Sequence, residues 1–146
     1  MPGMLRVVID TNIWIRALLG GRVTLPVLEA WRAGRFVVVT SQPLIDELRD
    51  VWQRPRLYER INAEDAERLI EQLCFRGEMV QIVAVPPGCR DPKDQPVLAT
   101  AMDGQVDAIV TADADLRADD ELIAAMAQHG VAVWGVERLL EKTRGN

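Results

Sequence analysis

The chain has little histidine and little cysteine, the residue types from which many protein sites are built. Its single histidine, His129, lies just before Gly130, where a helix is expected to end. The two cysteines, Cys74 and Cys89, show no C-x-x-C spacing. A zinc site needs clustered cysteine and histidine, and a disulfide scaffold needs more cysteines, so neither is expected here. Free thiols in a reducing cytoplasm are the expectation.

Several sequence motifs of common enzyme classes are also missing. The chain contains no G-x-S-x-G, no P-loop and no G-x-G-x-x-G, and no histidine is placed for a catalytic triad. No apolar run approaches the roughly 20 residues that span a bilayer. The amino terminus lacks a signal-peptide pattern, because Asp10 and Asn12 interrupt its apolar stretch. We therefore expect a cytoplasmic protein without a membrane partner.

The net charge is −5, whereas a general nucleic-acid binder is usually basic. Net charge does not exclude a local basic patch, so the position of the acids matters more than their number. With 49% hydrophobic residues in 146, the chain is long and apolar enough for one globular core.

Apolar segments of strand type alternate with segments of helical period along the chain. Strands are expected at 5–9, 36–40, 79–85, 107–111 and 131–134. Helices are expected at 12–18, 24–33, 42–53, 63–76, 95–103, 118–129 and 136–143, with a loop at 86–94. This alternation predicts one α/β domain over residues 1–146, with a parallel sheet covered by helices on both faces.

Acidic residues follow two of the predicted strands. Asp10 ends the first strand, and Asp113 and Asp115 come just after the fourth. Ligands in open α/β sheets bind outside the carboxyl ends of the strands. These acids are therefore expected at the edge of the sheet where a ligand binds.

Two further acids lie on the inward faces of predicted helices. Glu47 borders an apolar stripe formed by Leu44, Leu48 and Val51. Asp94 precedes Val97, Leu98 and Ala101 at helical spacing. An acid beside a core face needs a partner or a metal.

Each of these acids also has a purely structural explanation. Asp10 can cap the first helix, Asp91 and Asp94 can cap the helix that follows them, Asp113 can be a turn residue, and Glu47 can pair with an arginine. Taken together, however, acids from four separate segments converge on one edge and would repel one another. Mg²⁺ or Mn²⁺ would relieve this repulsion, since hard cations prefer carboxylate oxygens and water.

The ordered set of motifs resembles the PIN-domain family, and most of all its bacterial and archaeal branch of toxins from toxin–antitoxin systems. The matching stretches are VIDTN (8–12), LIDEL (44–48), RDPKDQPVLATA (90–101) and IVTADADL (109–116). The resemblance implies a parallel sheet of strand order 3-2-1-4-5 and a metal-dependent ribonuclease. It also implies an RNA substrate, an antitoxin partner and a homodimer.

The resemblance assigns roles to individual residues. Asp10, Glu47, Asp94 and Asp113 match the catalytic, metal-binding acids, and Asn12, Asp91, Thr111 and Asp115 match supporting positions. Hydrolysis of an RNA phosphodiester with Mg²⁺ or Mn²⁺ is the implied reaction.

A separate segment, WQRPRLYER (52–60), mixes arginines with aromatic residues in a way that suits single-stranded RNA. Candidate RNA contacts are Arg54, Arg56, Arg60, Arg90 and Lys93. The alternative is a solvated helix end whose aromatic rings pack inward. Trp14 and Trp31 are expected in the core or at a dimer interface.

Two other classes of protein compete with the ribonuclease hypothesis. One is a non-catalytic PIN-like module that binds RNA or protein, against which the intact set of acids argues. The other is an acid-rich α/β enzyme such as a haloacid-dehalogenase phosphatase or a response-regulator receiver. The phosphatase would show D-x-D-x-T where this chain has DTNIW (10–14), and a receiver would show a lysine after a late strand.

Overall fold

Helices and parallel strands alternate in the computed structural model, which describes residues 3–86 and 94–144. Its strands are β1 (Arg6–Ile9), β2 (Val37–Thr40), β3 (Glu78–Met79), β4 (Ala108–Val110) and β5 (Ala132–Trp134). The helices before the gap are α1 (Thr11–Leu18), α2 (Leu25–Arg32), α3 (Gln42–Trp52), α4 (Pro55–Tyr58) and α5 (Ala63–Arg76). Those after it are α6 (Gln95–Gly104), α7 (Ala114–Arg117), α8 (Asp120–Ala127) and α9 (Val136–Arg144). The free thiol expected at Cys89, the supporting acid expected at Asp91 and the RNA contacts expected at Arg90 and Lys93 lie outside the described residues.

The five strands form one sheet in the order β3-β2-β1-β4-β5, and every pair is parallel. This confirms the predicted α/β class and strand order. β1 lies in the centre, with Val7 beside Val38 on one side and Ala108 on the other. Because β1 and β4 are neighbours, the acids that follow them leave the sheet at the same edge.

The central strands are buried on both faces, which explains their continuous apolar sequences. Val7 and Ile9 of β1 point into a core shared with α1, α2, α3, α5 and α9. Val8 points into a second core, formed mainly with α6 and α8. Trp14 and Trp31 belong to the first core, with their ring centroids 5.6 Å apart.

Strand β3 is much shorter than the predicted strand at 79–85. Its partner β2 ends at Thr40, and the last bond between them runs from the N–H of Val80 to the carbonyl of Thr40, 2.9 Å. Beyond that point the N–H groups of Val83 and Ala84 donate to the Asp103 carboxylate instead, at 2.7 and 3.0 Å. The prediction of a strand over 79–85 was therefore wrong beyond Met79, because no strand of the described residues pairs with the rest of that segment.

Most predicted helices are confirmed within one or two residues, and α5 matches its predicted bounds. Asn62 caps α5 by accepting the N–H of Asp65 at 3.1 Å. Two four-residue helices, α4 and α7, were not predicted, and α8 begins at Asp120 rather than at 118. Within the described residues, no helix is long and apolar enough to cross a membrane.

Arg6 ties three parts of the fold together at the amino end of the sheet. Its guanidinium reaches across β2 to the Glu78 carboxylate on β3, 2.5 Å away. It also donates to the carbonyls of Gly104 and Gln105 at the end of α6, at 2.8 and 3.1 Å. These hydrogen bonds join the carboxyl end of α6 to the sheet.

Candidate functional site

Asp10 lies at the carboxyl end of the central strand, where its side chain is almost completely buried. Only 9% of the residue is exposed. Its backbone N–H donates to the carbonyl of Val110 at 2.9 Å and so extends the pairing of β1 with β4. Its Oδ2 accepts a hydrogen bond from the Thr111 hydroxyl at 2.8 Å. The two strands therefore hold this carboxylate in a fixed position.

The surroundings of Asp10 disfavour its charged form. Burial raises the pKa of the Asp10 carboxyl above its ordinary value, and the negative charge of Asp113 adds to the increase. The Thr111 hydroxyl opposes the increase in pKa, as do the backbone N–H groups of Thr11 and Asn12. Asp10 occupies the N-cap position of α1, but its side chain makes no cap hydrogen bond. Asp10 therefore has the position of a helix cap but not the side-chain hydrogen bond of one.

Asp113 is linked to Asp10 through Thr111. The N–H of Asp113 donates to Thr111 Oγ1 at 3.0 Å, and Thr111 donates in turn to Asp10. Asp113 Oδ1 accepts the N–H groups of Asp115 and Leu116, at 2.9 and 3.4 Å, and caps α7. Asp113 therefore has the predicted structural role of a turn residue and also lies beside Asp10. Asp115 is exposed.

Helix α3 directs Glu47 toward the same site. Glu47 is half-buried, whereas Asp46 and Asp50 on the same helix are exposed, as the helical spacing predicted. The hydroxyl of Thr11, the residue after Asp10, donates to Glu47 Oε2 at 3.0 Å. Glu47 is thus joined to Asp10 through Thr11, which follows Asp10 in the sequence and binds Glu47 by its hydroxyl.

Asp94 occupies the N-cap position of α6 without a side-chain cap hydrogen bond and is half-buried. Helix α6 packs against β1, β2 and β4. A buried pair of hydroxyls, Ser41 and Thr100, joins the start of α3 to the middle of α6 at 2.8 Å. Thr100 also bonds to the Pro96 carbonyl at 2.6 Å, so Ser41 is the donor to Thr100.

The sequence did not predict a supporting role at the site for three polar residues, Thr11, Ser41 and Thr100. Each is buried, and each holds a segment that carries a candidate acid. The sequence does mark two of them. Thr11 directly follows Asp10 in DTN (10–12), and Thr100 interrupts the apolar run VLATA (97–101).

The structure brings Asp10, Thr111 and Asp113 together and adds Glu47 through Thr11. In the described part of the chain, no group of three or more carboxylate, thiol or imidazole side chains is arranged to hold a metal ion. Asp91 lies outside this part, and Asn12 is exposed. The donor chemistry nevertheless fits a hard cation, because Mg²⁺ often binds through one or two carboxylates and completes its shell with water and phosphate oxygens.

The predicted RNA segment, residues 52–60, begins at the last residue of α3. Arg54 is seven residues beyond Glu47, or roughly 10 Å along a helix axis. Trp52 is buried and stacks on the exposed ring of Tyr58, with centroids 5.9 Å apart. Arg54, Arg56 and Arg60 are exposed, and Arg54 pairs with Asp50 at 3.1 Å. The inward packing of Trp52 matches the structural alternative, while the RNA contacts remain a prediction.

A protein-family model described as PIN domain matches residues 6–115 of the chain. The match begins in β1 and includes every candidate acid from Asp10 to Asp115. The chain matches no curated protein in sequence.

Proposed function

Because this chain belongs to the PIN-domain family, whose members are generally nucleases, we propose that it is a metal-dependent endoribonuclease. The observation that carries the proposal is the contact between Asp10 and Thr111, with Asp113 beside them at the same sheet edge. A buried carboxylate next to a second one is costly unless a cation or a proton offsets the charge. The elevated pKa of Asp10 reflects that cost.

The proposed ligands of Mg²⁺ or Mn²⁺ are Asp10, Asp94, Asp113 and Glu47, and the proposed supporting residues are Asn12, Asp91, Thr111 and Asp115. Such an ion, when bound, lowers the pKa of water and stabilises charge on a phosphate and its leaving oxygen. Thr111 orients Asp10, and its bond to the Asp113 N–H keeps the two carboxylates in register. Thr11 orients Glu47, which we assign to positioning the attacking water or to binding the ion.

The test compares RNA cleavage by the native chain, by Asp10→Asn and by Asp46→Asn. Asp46 is an exposed carboxylate on α3, so Asp46→Asn makes the same chemical change outside the site. We expect Mn²⁺-dependent cleavage in the native and Asp46→Asn proteins, and loss of cleavage in Asp10→Asn and in excess EDTA. Cleavage that survives EDTA, or full activity of Asp10→Asn, contradicts the proposal.

A second candidate function is a non-catalytic module that binds RNA or protein. One observation favours it: among residues 3–86 and 94–144, no group of three or more acids is arranged around a metal position. Binding of RNA by the native protein without cleavage of any RNA, and without a change in melting temperature on addition of Mn²⁺, would support this candidate.

We further propose that the whole of residues 1–146 forms one nuclease domain and acts as the toxin of a toxin–antitoxin pair. β5, which follows the matched region, pairs with β4 in the same sheet, and this supports the single-domain assignment. The toxin role predicts that cytoplasmic expression of the native chain arrests bacterial growth and that Asp10→Asn does not. A cognate antitoxin should restore growth, and sedimentation should show a homodimer.

A further inference from the structure

A cavity of about 570 Å³ opens beside the candidate catalytic residues, on the same edge of the sheet. Its walls come from the α1–α2 loop and from the segments that follow β4 and β5. Thr111, which holds Asp10, is one of the lining residues. The cavity therefore adjoins the residues proposed to hold the metal ion.

The cavity is basic in a chain whose net charge is −5. Three arginines line it, Arg16, Arg22 and Arg117, against one carboxylate, Glu137. All three arginines are exposed to solvent, and none is in an ion pair with a described residue. They are available to an anionic ligand, since exposed guanidinium groups without an internal partner bind phosphate readily.

Two glycines shape the cavity. A Cβ on Gly135 would lie 3.0 Å from Nη1 of Arg117, so the guanidinium rests against bare backbone. A Cβ on Gly21 would overlap the Thr24 hydroxyl oxygen and approach the carbonyl of Arg16 to 3.0 Å. Buried Thr24 Oγ1 has no hydrogen-bond partner in the described chain. Side chains at either glycine would displace the groups that line this space.

We infer that this cavity, named here the arginine pocket (Arg16, Arg22 and Arg117), binds a backbone phosphate next to the phosphate that is cleaved. The inference rests on the proposed ribonuclease function and adds to it the position at which the neighbouring nucleotide is held. RNA supplies a second phosphate close to every cleaved one. A volume of this size, within the usual range for small-molecule sites, accommodates the attached nucleoside.

The arginine pocket also accounts for how an acidic protein holds RNA. The acids at the end of β1 and β4 repel a polyanion, and the arginine pocket supplies positive charge at the same edge. The arginines of residues 54–60 do not line this cavity, and Arg54 is paired with Asp50. We therefore assign the phosphate contact nearest the reaction to Arg22 and Arg117.

The test uses the full chain with the double substitution Arg22→Gln/Arg117→Gln. The matched control is Arg35→Gln/Arg144→Gln, which removes the same charge from two exposed arginines. Arg35 lines a separate cavity with Lys142 and Thr143, next to Arg144 and at the amino end of the sheet. Each pair is combined with Asp10→Asn for binding measurements, so that RNA stays intact.

Binding is measured by fluorescence anisotropy with a short, labelled single-stranded RNA over a range of salt concentrations. We expect the arginine-pocket variant to bind about ten-fold more weakly than the control variant. The slope of log affinity against log salt should fall by about 0.7, the value for one phosphate contact on a single strand. Equal affinities and slopes in the two variants would overturn the inference.

Cleavage of RNAs with one phosphate replaced by a neutral methylphosphonate then locates the contact. In the native and control proteins, a methylphosphonate at one position next to the cleaved bond should raise KM about ten-fold. In the arginine-pocket variant, the same replacement should have no further effect on KM. An equal effect in all proteins would exclude the arginine pocket. If the arginine-pocket variant binds RNA as well as the control variant does but no longer binds a polyglutamate peptide, the ligand of the arginine pocket is an acidic protein segment and the inference fails.

The binding and cleavage experiments distinguish a failure of the arginine-pocket inference from a failure of the ribonuclease proposal. If the native chain cleaves no RNA with Mn²⁺, the ribonuclease proposal fails, and the anisotropy comparison still decides whether the arginine pocket binds phosphate. If cleavage is normal in the arginine-pocket variant at every RNA concentration, the arginine pocket fails and the ribonuclease proposal stands.

Discussion

The Thr111 hydroxyl donates to Asp10 Oδ2 at 2.8 Å although the two residues are 101 positions apart in the sequence. Both are buried, and both follow strands that are neighbours in the sheet. The same hydroxyl oxygen accepts the N–H of Asp113, so one side chain organises two candidate ligands. Thr111 is therefore the best single position at which to test whether the orientation of Asp10 matters.

Replacing Thr111 with valine keeps the shape of the side chain and removes the hydroxyl. We expect Mn²⁺-dependent cleavage to fall by roughly 10–100-fold, as for other residues that orient metal ligands. The free energy of unfolding should fall by about 1–3 kcal/mol, because polar groups are left unpaired. Cleavage as a function of Mn²⁺ concentration and urea unfolding measure the two effects. Thr111→Ser should restore activity, and unchanged cleavage by Thr111→Val would remove Thr111 from the site.

Asp10→Asn should stabilise the metal-free protein. When the pKa of an acid is higher in the folded state than in the unfolded state, ionisation of that acid lowers the stability of the fold. The loss begins as the pH rises through the unfolded pKa and is complete above the folded pKa. Burial and the Asp113 charge raise the pKa of Asp10 in the folded state. Neutral pH lies above the ordinary pKa of an aspartate, so the loss of stability has begun there. The asparagine amide oxygen still accepts from Thr111.

Thermal unfolding in EDTA at several pH values measures this difference. The melting temperature of Asp10→Asn should exceed that of the native chain at neutral pH by roughly 2–4 °C for each kcal/mol gained. The difference should disappear at acid pH, where Asp10 is protonated in both states. A lower melting temperature for Asp10→Asn at neutral pH contradicts the pKa argument.

Mn²⁺ should raise the melting temperature of the native protein, because a ligand that binds only the folded state stabilises it. At a concentration 100 times the Kd, the gain is about 2.7 kcal/mol. Affinity should increase with pH, since the raised pKa of Asp10 makes a proton compete with the ion. Differential scanning fluorimetry with NaCl at matched ionic strength as the control measures both effects. An equal shift in Asp10→Asn would place the ion elsewhere.

Arg6→Met should lower stability without changing cleavage. The substitution removes the donor for the carbonyls of Gly104 and Gln105, and we expect a loss of about 1–3 kcal/mol. Glu78→Gln is the matched control and should cost less than about 1 kcal/mol, because the ion pair is partly exposed. Urea unfolding and RNA cleavage of both variants provide the measurements. A larger loss in Glu78→Gln would show that the ion pair dominates.

Most of the fold followed from local sequence. VVI and FVVV predicted buried strands because parallel strands covered on both faces need no polar positions. Helical spacing alone identified Glu47 as the inward acid of α3 and Asp46 as a solvent-facing one. The strand order, in contrast, came only from the family resemblance, since no local pattern states which strands are neighbours.

The parts that sequence could not predict depend on tertiary geometry. β3 stops after two residues because β2 turns into α3, which nothing within 79–85 indicates. The bond between Ser41 and Thr100 depends on where α3 and α6 cross. The location of the arginine pocket depends on three segments that are distant in sequence, so its residues are unremarkable when taken one at a time.

The central position of β1 between β2 and β4 has a consequence for protein synthesis. Asp10 is synthesised early, whereas Thr111 is added 101 residues later and Asp113 just after it. Long-range parallel pairing is also slow to form. A nascent chain that lacks Thr111 and Asp113 thus has no assembled set of carboxylates, so the proposed nuclease activity would not begin before these residues have been made and have paired with β1.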